Sequence, residues 1–496
     1  MSPFEIRQRI TSFIDGRFVD PRASAQPIEV IDPSTALPLA TLYEADVPEV
    51  DAAVQAARRS FERGGWRNTT TRQRAGVLRA IAALVQQHAE ELCWLETMDL
   101  GVPRSLAPAV VTALVVRNFN FYADHLSQAV ERAARSDALY QQYVHRDPVG
   151  VCALLSPWNA PLMLASSKIA PALAFGNSIV VKPSEYTPLA VARFMELLVE
   201  AGVPAGVANL VNGRGPVTGS ALVSHDQVDL VSFTGGGVAG RQIAAAAGAG
   251  LKKCDLELGG KSANIVSDAA DLEAAVDGSL ASIYTNSGQM CFAGSRILVH
   301  KAVADAFIQR FVARARAIRV GDPHELDTEM GPLAYPAHCE RVMSFCAGDA
   351  GAGVQCVAGG RRLERPGWFM EPTVLLTQST DARCWREEIF GPVASIMTYE
   401  RFDEAIAIAN DSRYGLAAYL WTNRLGECTQ AAAQLRAGSI MVNSPMWSDL
   451  RMPFGGIKDS GVGREGIQSL RNFYSEEKTV AIAGAKVPIR RFGGGG

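Results

Sequence analysis

The sequence lacks an excess of either charge and any long apolar run. Its 496 residues carry 48 basic and 51 acidic side chains, a net charge of −3. Such a balance provides no basic surface for nucleic acid or anionic lipid. No uncharged apolar stretch approaches the roughly 18 residues of a membrane span, and the first ten residues, MSPFEIRQRI, have no apolar export core. We therefore expect a soluble, cytoplasmic protein with no nucleic-acid or membrane partner.

Patterned cysteine and histidine are also missing. The nine cysteines contain no C-x-x-C pair, and the seven histidines contain no H-x-x-H or H-x-x-x-H pair. These absences argue against a zinc ribbon and against a disulfide framework, and they fit a reducing compartment. A chain of this length buries enough surface to fold without such crosslinks. We expect no metal site.

What the sequence does contain is a regular alternation of short apolar runs and stretches of helical period. Continuous apolar runs bounded by Gly, Pro, Asn and Ser are typical of parallel strands that helices cover on both faces. The pattern predicts an α/β fold, and the length allows about three domains. The runs are VCALLS (151–156), SIVVK (178–182), VDLVSF (228–233), ANIV (263–266) and RILVH (296–300).

Two residues near these apolar runs are suited to catalysis. Cys291 ends the turn GQMC before the run RILVH, where α/β enzymes often place reactive groups; the alternative is a small buried hydrophobe. Glu257 lies between two leucines of an apolar strand. Burial there raises the pKa of a carboxyl, as a general base requires. The alternative is a strand-edge glutamate paired with Lys253 or Lys261.

Two glycine-rich loops are candidates for phosphate binding. The segment GGGVAG (235–240) fits G-x-G-x-x-G between a strand and a helix, and the acids Asp255 and Glu257 follow at about the distance of a dinucleotide fingerprint. With 45 glycines in the chain, such a match arises easily. The loop NGRGPVTG (212–219) suits a phosphate or a plain turn equally well.

Polar residues also follow other predicted strands. Lys182 and Glu185, in VVKPSE, place a cation and a carboxylate at a strand end, where a carboxylate binds a ribose diol and repels a 2′-phosphate; the alternative is a surface ion pair. Asn159, in the turn SPWNAP, provides an amide donor for an oxyanion or is an ordinary turn residue. The turn EEIFGPV (387–393) is more typical of a structural corner.

Together these segments resemble the aldehyde dehydrogenase family in order and spacing, over nearly the whole chain. The matching motifs are PWN (157–159), KPSE (182–185), FTGG (233–236), ELGGK (257–261), GQMC (288–291), EEIFGPV (387–393), N-x-x-x-YGL (410–416) and PFGG-x-K-x-SG-x-GRE (453–465).

The resemblance implies a domain arrangement. It consists of a Rossmann-like NAD-binding domain (1–128 and 150–258), an α/β catalytic domain (259–462) and a small β oligomerisation element (129–149 and 463–496). It also implies a homodimer or homotetramer built through the strand near 139–151 and the C-terminal strand.

The resemblance further implies catalytic roles. Cys291 is similar to the nucleophile that attacks the aldehyde carbon, and Asn159 to the amide that stabilises the oxyanion with the nucleophile's own backbone N–H. Glu257 is similar to the base that activates water for thioester hydrolysis. Lys168 and Glu465 match positions that support the site.

The implied cofactor is NAD, with NADP possible. Lys182 and Glu185 match residues that bind the adenosine ribose, so the ribose carboxylate lies upstream of the G-x-G-x-x-G segment. Glu388 and Phe390 match residues that position the nicotinamide half. Gly236 replaces the serine of the usual FTGS motif and offers the pyrophosphate no hydroxyl, so we expect cofactor binding with either a lower affinity or a pyrophosphate that shifts more freely. The other implied cofactor residues are Pro157, Trp158, Gly215, Gly219, Phe233 and Leu258.

The resemblance implies a small-molecule aldehyde as the substrate, but it does not define which kind of aldehyde. The triplet DLR (449–451) resembles muconic-semialdehyde dehydrogenases, but Asn120 and Ser448 stand where arginines for a carboxylate are expected. We therefore expect an uncharged aromatic or long-chain aldehyde. A carboxylated semialdehyde, a CoA-acylating reaction and a non-catalytic structural role are the alternatives. The expected pocket residues are Ala160, Ser167, Met290, Phe292, Trp447 and Phe454, with Met446 beside them.

Overall fold

The computed structural model describes residues 3–128, 130–134, 140–346, 353–445, 448–490 and 492–493. Within these ranges the chain forms two large sheets and two small ones. The strands are β1 (Arg9–Ile10), β2 (Phe13–Ile14), β3 (Arg17–Phe18), β4 (Pro27–Ile31), β5 (Pro38–Tyr43), β6 (Ala133–Ala134), β7 (Tyr140–Pro148), β8 (Val151–Leu155), β9 (Ser178–Lys182), β10 (Ala208–Leu210), β11 (Leu230–Gly235), β12 (Lys253–Leu258), β13 (Ala263–Val266), β14 (Arg296–His300), β15 (Gln355–Ala358), β16 (Thr373–Leu376), β17 (Val393–Tyr399), β18 (Ala417–Trp421), β19 (Ser439–Val442), β20 (Gly461–Val462) and β21 (Ser475–Ala483).

Helices cover both large sheets. The helices are α1 (Val47–Arg63), α2 (Thr71–Gln87), α3 (Ala89–Leu100), α4 (Ala107–Val110), α5 (Thr112–Gln128), α6 (Pro161–Ala174), α7 (Leu189–Glu200), α8 (Ser220–Ser224), α9 (Gly237–Ala249), α10 (Leu272–Tyr284), α11 (Lys301–Ala317), α12 (Pro336–Cys346), α13 (Arg383–Arg386), α14 (Phe402–Asn410), α15 (Leu425–Gln434) and α16 (Ile467–Phe473). None of the helices in the described ranges is long and apolar enough to cross a bilayer.

The first large sheet has the order β20-β12-β11-β8-β9-β10-β2-β3, with the central strands β12 to β10 parallel. In β8, Cys152 and Leu154 pack into one hydrophobic cluster while Val151, Ala153 and Leu155 pack into another. Because successive side chains point to opposite faces, both faces of this strand are buried. The apolar runs are therefore continuous, and the predicted α/β class is confirmed.

The second large sheet has the order β15-β16-β17-β14-β13-β18-β19 and is parallel except for the β15–β16 pair. The segment 259–262 connects β12 of the first sheet directly to β13 of the second. The turn after α10 precedes β14, which lies next to β13. This topology brings the carboxyl end of β12 to the loop that contains Cys291.

A third sheet contains β6, β7 and β21, with β21 at one edge. Ser475 lies opposite Pro148 and Ala483 opposite Tyr140 in an antiparallel ladder, so two strands of the expected oligomerisation element pair within one chain. β20 lies inside the segment 259–462 that was predicted to form the catalytic domain, and yet it pairs with β12 of the first large sheet. The predicted domain boundaries themselves stay a prediction.

Candidate active site

Cys291 follows a turn of strained backbone. Asn286, Ser287 and Gly288 have φ values of 51°, 56° and 72°, a left-handed run in which two members are not glycine. The Ser287 hydroxyl donates to the carbonyl of Gly331 at 2.9 Å, which fixes the turn from one side. Strain that neighbouring contacts hold in place is typical of functional sites.

The thiol of Cys291 is enclosed by groups that disfavour its ionisation. Burial raises its pKa, and the nearby carboxyls of Glu257 and Glu388 raise it further. The raised pKa favours the neutral thiol over the thiolate. Gly260 passes so close that a Cβ there would lie 2.6 Å from the carbonyl oxygen of Cys291, so only glycine fits.

Asn159 is buried and joined to the same turn. Its side-chain Nδ2 donates to the backbone carbonyl of Gln289 at 2.9 Å. The backbone carbonyl of Asn159 accepts a hydrogen bond from Nδ2 of Asn286 at 2.7 Å. An amide nitrogen carries two hydrogens. One is donated to the carbonyl of Gln289, two residues before Cys291, so this amide lies on the turn that leads to the thiol.

Glu257 is 5% exposed on β12, and neither carboxylate oxygen has a hydrogen-bond partner in the described ranges. Its pKa is raised well above the usual range by burial first and by Glu465 second. The alternative of a pair with a neighbouring lysine is wrong, since Lys253 bonds to Glu476 at 2.8 Å and the buried Lys261 ammonium has no hydrogen-bond partner among the described residues.

Lys168 and Glu465 lie next to this carboxylate. The Lys168 ammonium, on the buried face of α6, lies 3.1 Å from the Ser232 hydroxyl and 3.4 Å from Oε1 of Glu465. Ser167, one residue before, lies 3.5 Å from the same oxygen. Glu465 is held by reciprocal backbone hydrogen bonds with Phe454, at 2.9 and 2.7 Å. Two segments far apart in the chain thus meet at one ion pair.

Lys182 and Glu185 lie at the carboxyl end of β9. The ammonium is 3.6 Å from Oε2 of Glu185 and donates to the carbonyl of Pro183 at 2.8 Å. Lys182 is buried, and this burial lowers its pKa. The alternative of a surface ion pair is therefore wrong. Gly219, at the end of the π-helical turn Gly215–Gly219, packs on the stem of this lysine.

The helix α9 begins directly after Gly236, and no side-chain hydroxyl caps it. Phe233 covers Gly235, and a Cβ at Gly240 would lie 2.6 Å from Leu258. A cavity of about 310 Å³ extends from this helix start to Glu388. Its lining is Gly237, Val238, Arg241, Arg341, Glu387, Glu388, Arg413, Tyr414 and Asp459.

The turn 388–390 is held by α12. His338 Nε2 donates to the carbonyl of Phe390 at 2.8 Å, and the Arg341 guanidinium donates to the carbonyls of Ile389 and Glu388 at 2.8 and 2.5 Å. Phe390 has φ 62°, a strained value for a residue other than glycine. The hydrogen bonds to the carbonyls of residues 388–390 hold it in this conformation. Burial lowers the pKa of His338 to about 4, which keeps the ring neutral. Sequence reasoning missed both residues of α12, since they belong to no motif.

Glu388 itself turns towards Gly260, which also lies against the carbonyl of Cys291. Its Oε1 accepts from the backbone N–H of Gly260 at 3.0 Å, and burial raises its pKa to about 7. Trp158, next to Pro157, packs edge-on against Phe390 at 5.3 Å between ring centroids and tilts over His338 at 5.0 Å. The PWN and EEIFGPV turns are therefore in contact.

The predicted pocket residues are only partly gathered. Phe292 and Phe454 meet edge-to-face at 6.3 Å, and Met290 Sδ lies 3.9 Å from Nδ2 of Asn286. Ala160 precedes α6. Trp447 and Met446 lie outside the described residues.

Sequence reasoning also missed two polar contributions. Gln289 belongs to the motif GQMC, and its Oε1 accepts from the backbone N–H of Ala334 at 3.0 Å while its carbonyl fixes Asn159. Asp255, which the fingerprint spacing alone singles out, is buried two residues before Glu257. No group of three metal-ligating side chains occurs among the residues that the structure describes.

Comparison with known proteins identifies the family. The family model described as "Aldehyde dehydrogenase family" matches residues 18–480. A mitochondrial aldehyde dehydrogenase of Leishmania tarentolae is 39% identical over 477 residues, 96% of this chain and 95% of that protein. A 2-aminomuconic semialdehyde dehydrogenase of Bos taurus is 38% identical over 481 residues, 95% and 98% of the two chains. An indole-3-acetaldehyde dehydrogenase of P. syringae, solved in complex with NAD+ and IAA, is 37% identical with a TM-score of 0.94 and 97% of each chain covered. The chain belongs to the aldehyde dehydrogenase family.

Proposed function

We propose that this chain oxidises an aldehyde to the carboxylic acid, with NAD as the hydride acceptor and a covalent adduct on Cys291. The observation that carries the proposal is the meeting of three groups. A thiol, an amide donor and a buried carboxylate converge from the ends of α10, β8 and β12. Asn159 is bonded to the turn of the nucleophile, and Glu257 acts on the ionisation of its thiol.

The steps follow from these groups. The Cys291 thiol releases its proton to solvent and its sulfur attacks the aldehyde carbon, and Asn159 Nδ2 together with the backbone N–H of Cys291 stabilises the oxyanion. Bound NAD supplies the acceptor for the hydride that leaves this carbon. The resulting thioester is attacked by a water whose proton passes to Glu257. Cleavage of the carbon–sulfur bond then releases the acid and restores the thiol. Because this thiol reacts only while it is reduced, we also propose that the protein works in a reducing compartment such as the cytoplasm.

The chain offers matching groups to NAD. The N-terminus of α9 opens into the 310 Å³ cavity, and Glu388 lies on the opposite wall. A helix N-terminus favours a diphosphate. Glu185 beside the buried Lys182 is suited to a ribose diol, and its charge disfavours a 2′-phosphate.

Glu185→Gln is therefore expected to weaken NAD binding by about 10-fold to 100-fold, because a hydrogen bond to a charged group contributes about 1.5–3 kcal/mol. The discrimination against NADP is expected to fall as well. Tryptophan fluorescence quenching gives both dissociation constants, and Glu62→Gln on the exposed face of α1 is the matched control. Unchanged constants for Glu185→Gln would remove this residue from the ribose site.

For the substrate we propose an uncharged aromatic or long-chain aldehyde. The contact of Phe292 with Phe454 supports an apolar wall near Cys291. Small residues at 160 and 167 leave room beside it. The relative solved with NAD+ and IAA acts on an aromatic aldehyde by its name.

The test is a panel of benzaldehyde, a medium-chain alkanal and succinic semialdehyde. We expect kcat/KM to be lowest for the charged substrate by about tenfold or more, since an unpaired carboxylate loses its hydration in an apolar tunnel. Initial rates of NADH formation at one pH and salt concentration give the comparison. The highest kcat/KM with succinic semialdehyde would contradict this proposal.

One observation favours a carboxylated semialdehyde as the second candidate. Arg117 of α5 has Nη1 3.4 Å from both the hydroxyl and the carbonyl of Ser448. Its Nε is buried without a hydrogen-bond partner in the described ranges. A guanidinium with a free donor is suited to a carboxylate. Arg117→Met would separate the two candidates, since it should impair only the charged member of the panel.

We also propose that the chain assembles as a homodimer or homotetramer through β21. This strand forms an open edge, and Ile482 on it is 52% exposed. An unpaired edge of nine residues favours pairing with a second chain. Thr479→Pro removes an N–H in mid-strand, so it is expected to convert the assembly to a species near the 53.0 kDa chain mass in sedimentation velocity. A wild-type protein that sediments as a stable monomer would contradict this proposal.

A further inference from the structure

Two buried acids share one face of β12. Asp255 is 2% exposed and Glu257 is 5% exposed, and they stand two residues apart. Because side chains alternate along a strand, both point to the same side of the sheet. Oδ2 of Asp255 and both carboxylate oxygens of Glu257 lack hydrogen-bond partners in the described ranges. Buried polar groups without partners are rare and call for an explanation.

The backbone of 455–463 covers both acids. Gly455 has φ 145° and Gly463 has φ 97°. A Cβ at Gly455 would collide with the Glu257 carboxylate, and one at Gly463 with the Asp255 carboxylate. Glycine at these two positions therefore allows the same segment to lie directly on the two carboxyl groups, which keeps both of them out of bulk solvent.

Charged groups reach the two acids from the neighbouring elements. From α6, the Lys168 ammonium bonds to Ser232, which lies directly opposite Asp255 in the β11–β12 register. From the covering segment come Glu465, paired with Lys168, and Arg464, whose guanidinium donates to the carbonyls of Gly456 and Gly463. The Tyr474 phenol, buried after α16, lies near Asp255, and the Cys291 thiol, whose pKa the Glu257 carboxyl raises, lies near Glu257.

These charges do not balance when every group is ionised. Asp255, Glu257 and Glu465 contribute three negative charges, against the two positive charges of Lys168 and Arg464. Burial raises the pKa of Asp255 to about 7, with Lys168 opposing the rise and Glu465 adding to it. The pKa of Glu257 is raised by burial, then by Glu465, then by Asp255. The ionisation of either carboxyl of β12 therefore disfavours the ionisation of the other.

We infer that Asp255 is a positioning residue that acts through Glu257: as a second acid under the same backbone cover, it makes Glu257 hold its proton more tightly than a neutral residue at this position would. The inference rests on the proposed role of Glu257 as the base for thioester hydrolysis. A like charge disfavours a second ionisation. At a separation of about 7 Å and an effective dielectric constant of about 20, the interaction shifts the midpoint by on the order of one pH unit.

The test is the pH dependence of thioester hydrolysis in Asp255→Asn. Rapid mixing of enzyme, NAD and an aldehyde separates the first NADH turnover from the slower steady state, and the steady-state rate is followed across pH. Removal of the negative charge is expected to lower the pH midpoint of hydrolysis by about one unit. A residue that only supports the fold would change amounts or rates at every pH without moving the midpoint.

Three variants make each outcome decisive. Cys254→Ser changes the adjacent residue of β12, which packs on the opposite face, and should keep the wild-type midpoint. Asp255→Ser replaces Asp255→Asn if the latter does not fold, as judged by NAD quenching of tryptophan fluorescence. Glu257→Gln checks the base itself. If it hydrolyses the thioester normally, the proposed function and this inference both fall. If it is inactive while Asp255→Asn keeps the wild-type midpoint, only the inference about Asp255 is overturned.

Discussion

Cys291→Ala is expected to lose aldehyde oxidation by on the order of 10⁴-fold or more, because removal of a nucleophile eliminates the covalent route entirely. The alanine fits the site, since it removes one partly buried sulfur from the turn and leaves the hydrogen bonds of Ser287 and Asn159 in place. The measurement is the initial rate of NADH formation with a broad aldehyde panel.

The control must show that Cys291→Ala loses the chemical step while it still binds the cofactor. Trp158 lies against Phe390, so fluorescence quenching by NAD reports directly on this region. We expect the NAD dissociation constant of Cys291→Ala to match that of the wild type. Cys428→Ala, on α15, removes another partly buried thiol and should keep full activity. Appreciable turnover by Cys291→Ala would contradict the proposed nucleophile, and inactivity of the wild type across the panel despite NAD binding would favour a non-catalytic role.

Glu257→Gln is expected to produce one NADH per subunit and then stop. The oxidation step needs the thiol and the oxyanion donors, whereas hydrolysis needs a base, so the thioester accumulates. General-base assistance contributes about 10²-fold to 10⁴-fold, and the steady-state rate should fall by that factor. Stopped-flow absorbance gives the burst, and intact-protein mass spectrometry identifies the acyl group on the enzyme.

The pH dependence gives the same residue a second test. The base works in its ionised form, and its raised pKa means that it stays protonated well above the usual carboxyl range. Hydrolysis by the wild type should therefore rise with pH through this raised pKa, and Glu257→Gln should lose that rise. Glu200→Gln, at the exposed end of α7, is the control. A variant that loses the burst together with turnover would indicate that Glu257 acts before hydride transfer instead.

The same experiment separates water from CoA as the acyl acceptor. With water, the wild type releases the free acid and CoA leaves the steady-state rate unchanged. A CoA-acylating reaction would yield an acyl-CoA and would tolerate the loss of a water-activating carboxylate. The burial of Glu257 with two unsatisfied oxygens supports the first of these.

Several features follow from short stretches of sequence. The apolar run VCALL at 151–155 forms a strand in which every side chain is buried, and a continuous run of Val, Cys, Ala and Leu predicts this locally. The position of Glu257 between two leucines already implied a carboxyl in an apolar strand, and Cys291 already stood in a turn before β14. These properties depend on a few neighbouring residues, so the chain itself specifies them.

Other features depend on segments that meet only in the folded chain. That Lys182 is buried rather than at the surface follows from helices and loops packed around β9, not from the motif KPSE. The hold of α12 on the turn 388–390 joins residues about 50 positions apart. The unbalanced acid cluster joins Asp255 to Glu465, 210 positions later, and to Lys168, 87 positions earlier.

The sequence alone therefore determined the α/β class, the family resemblance and the residue types available for chemistry, because strand burial and motif identity are local properties. The tertiary structure alone decided that Asp255 and Glu388 lose their solvent as Glu257 does, and which charges face these carboxyls. Burial and long-range charge pairing set a pKa, and both depend on topology that brings distant segments together.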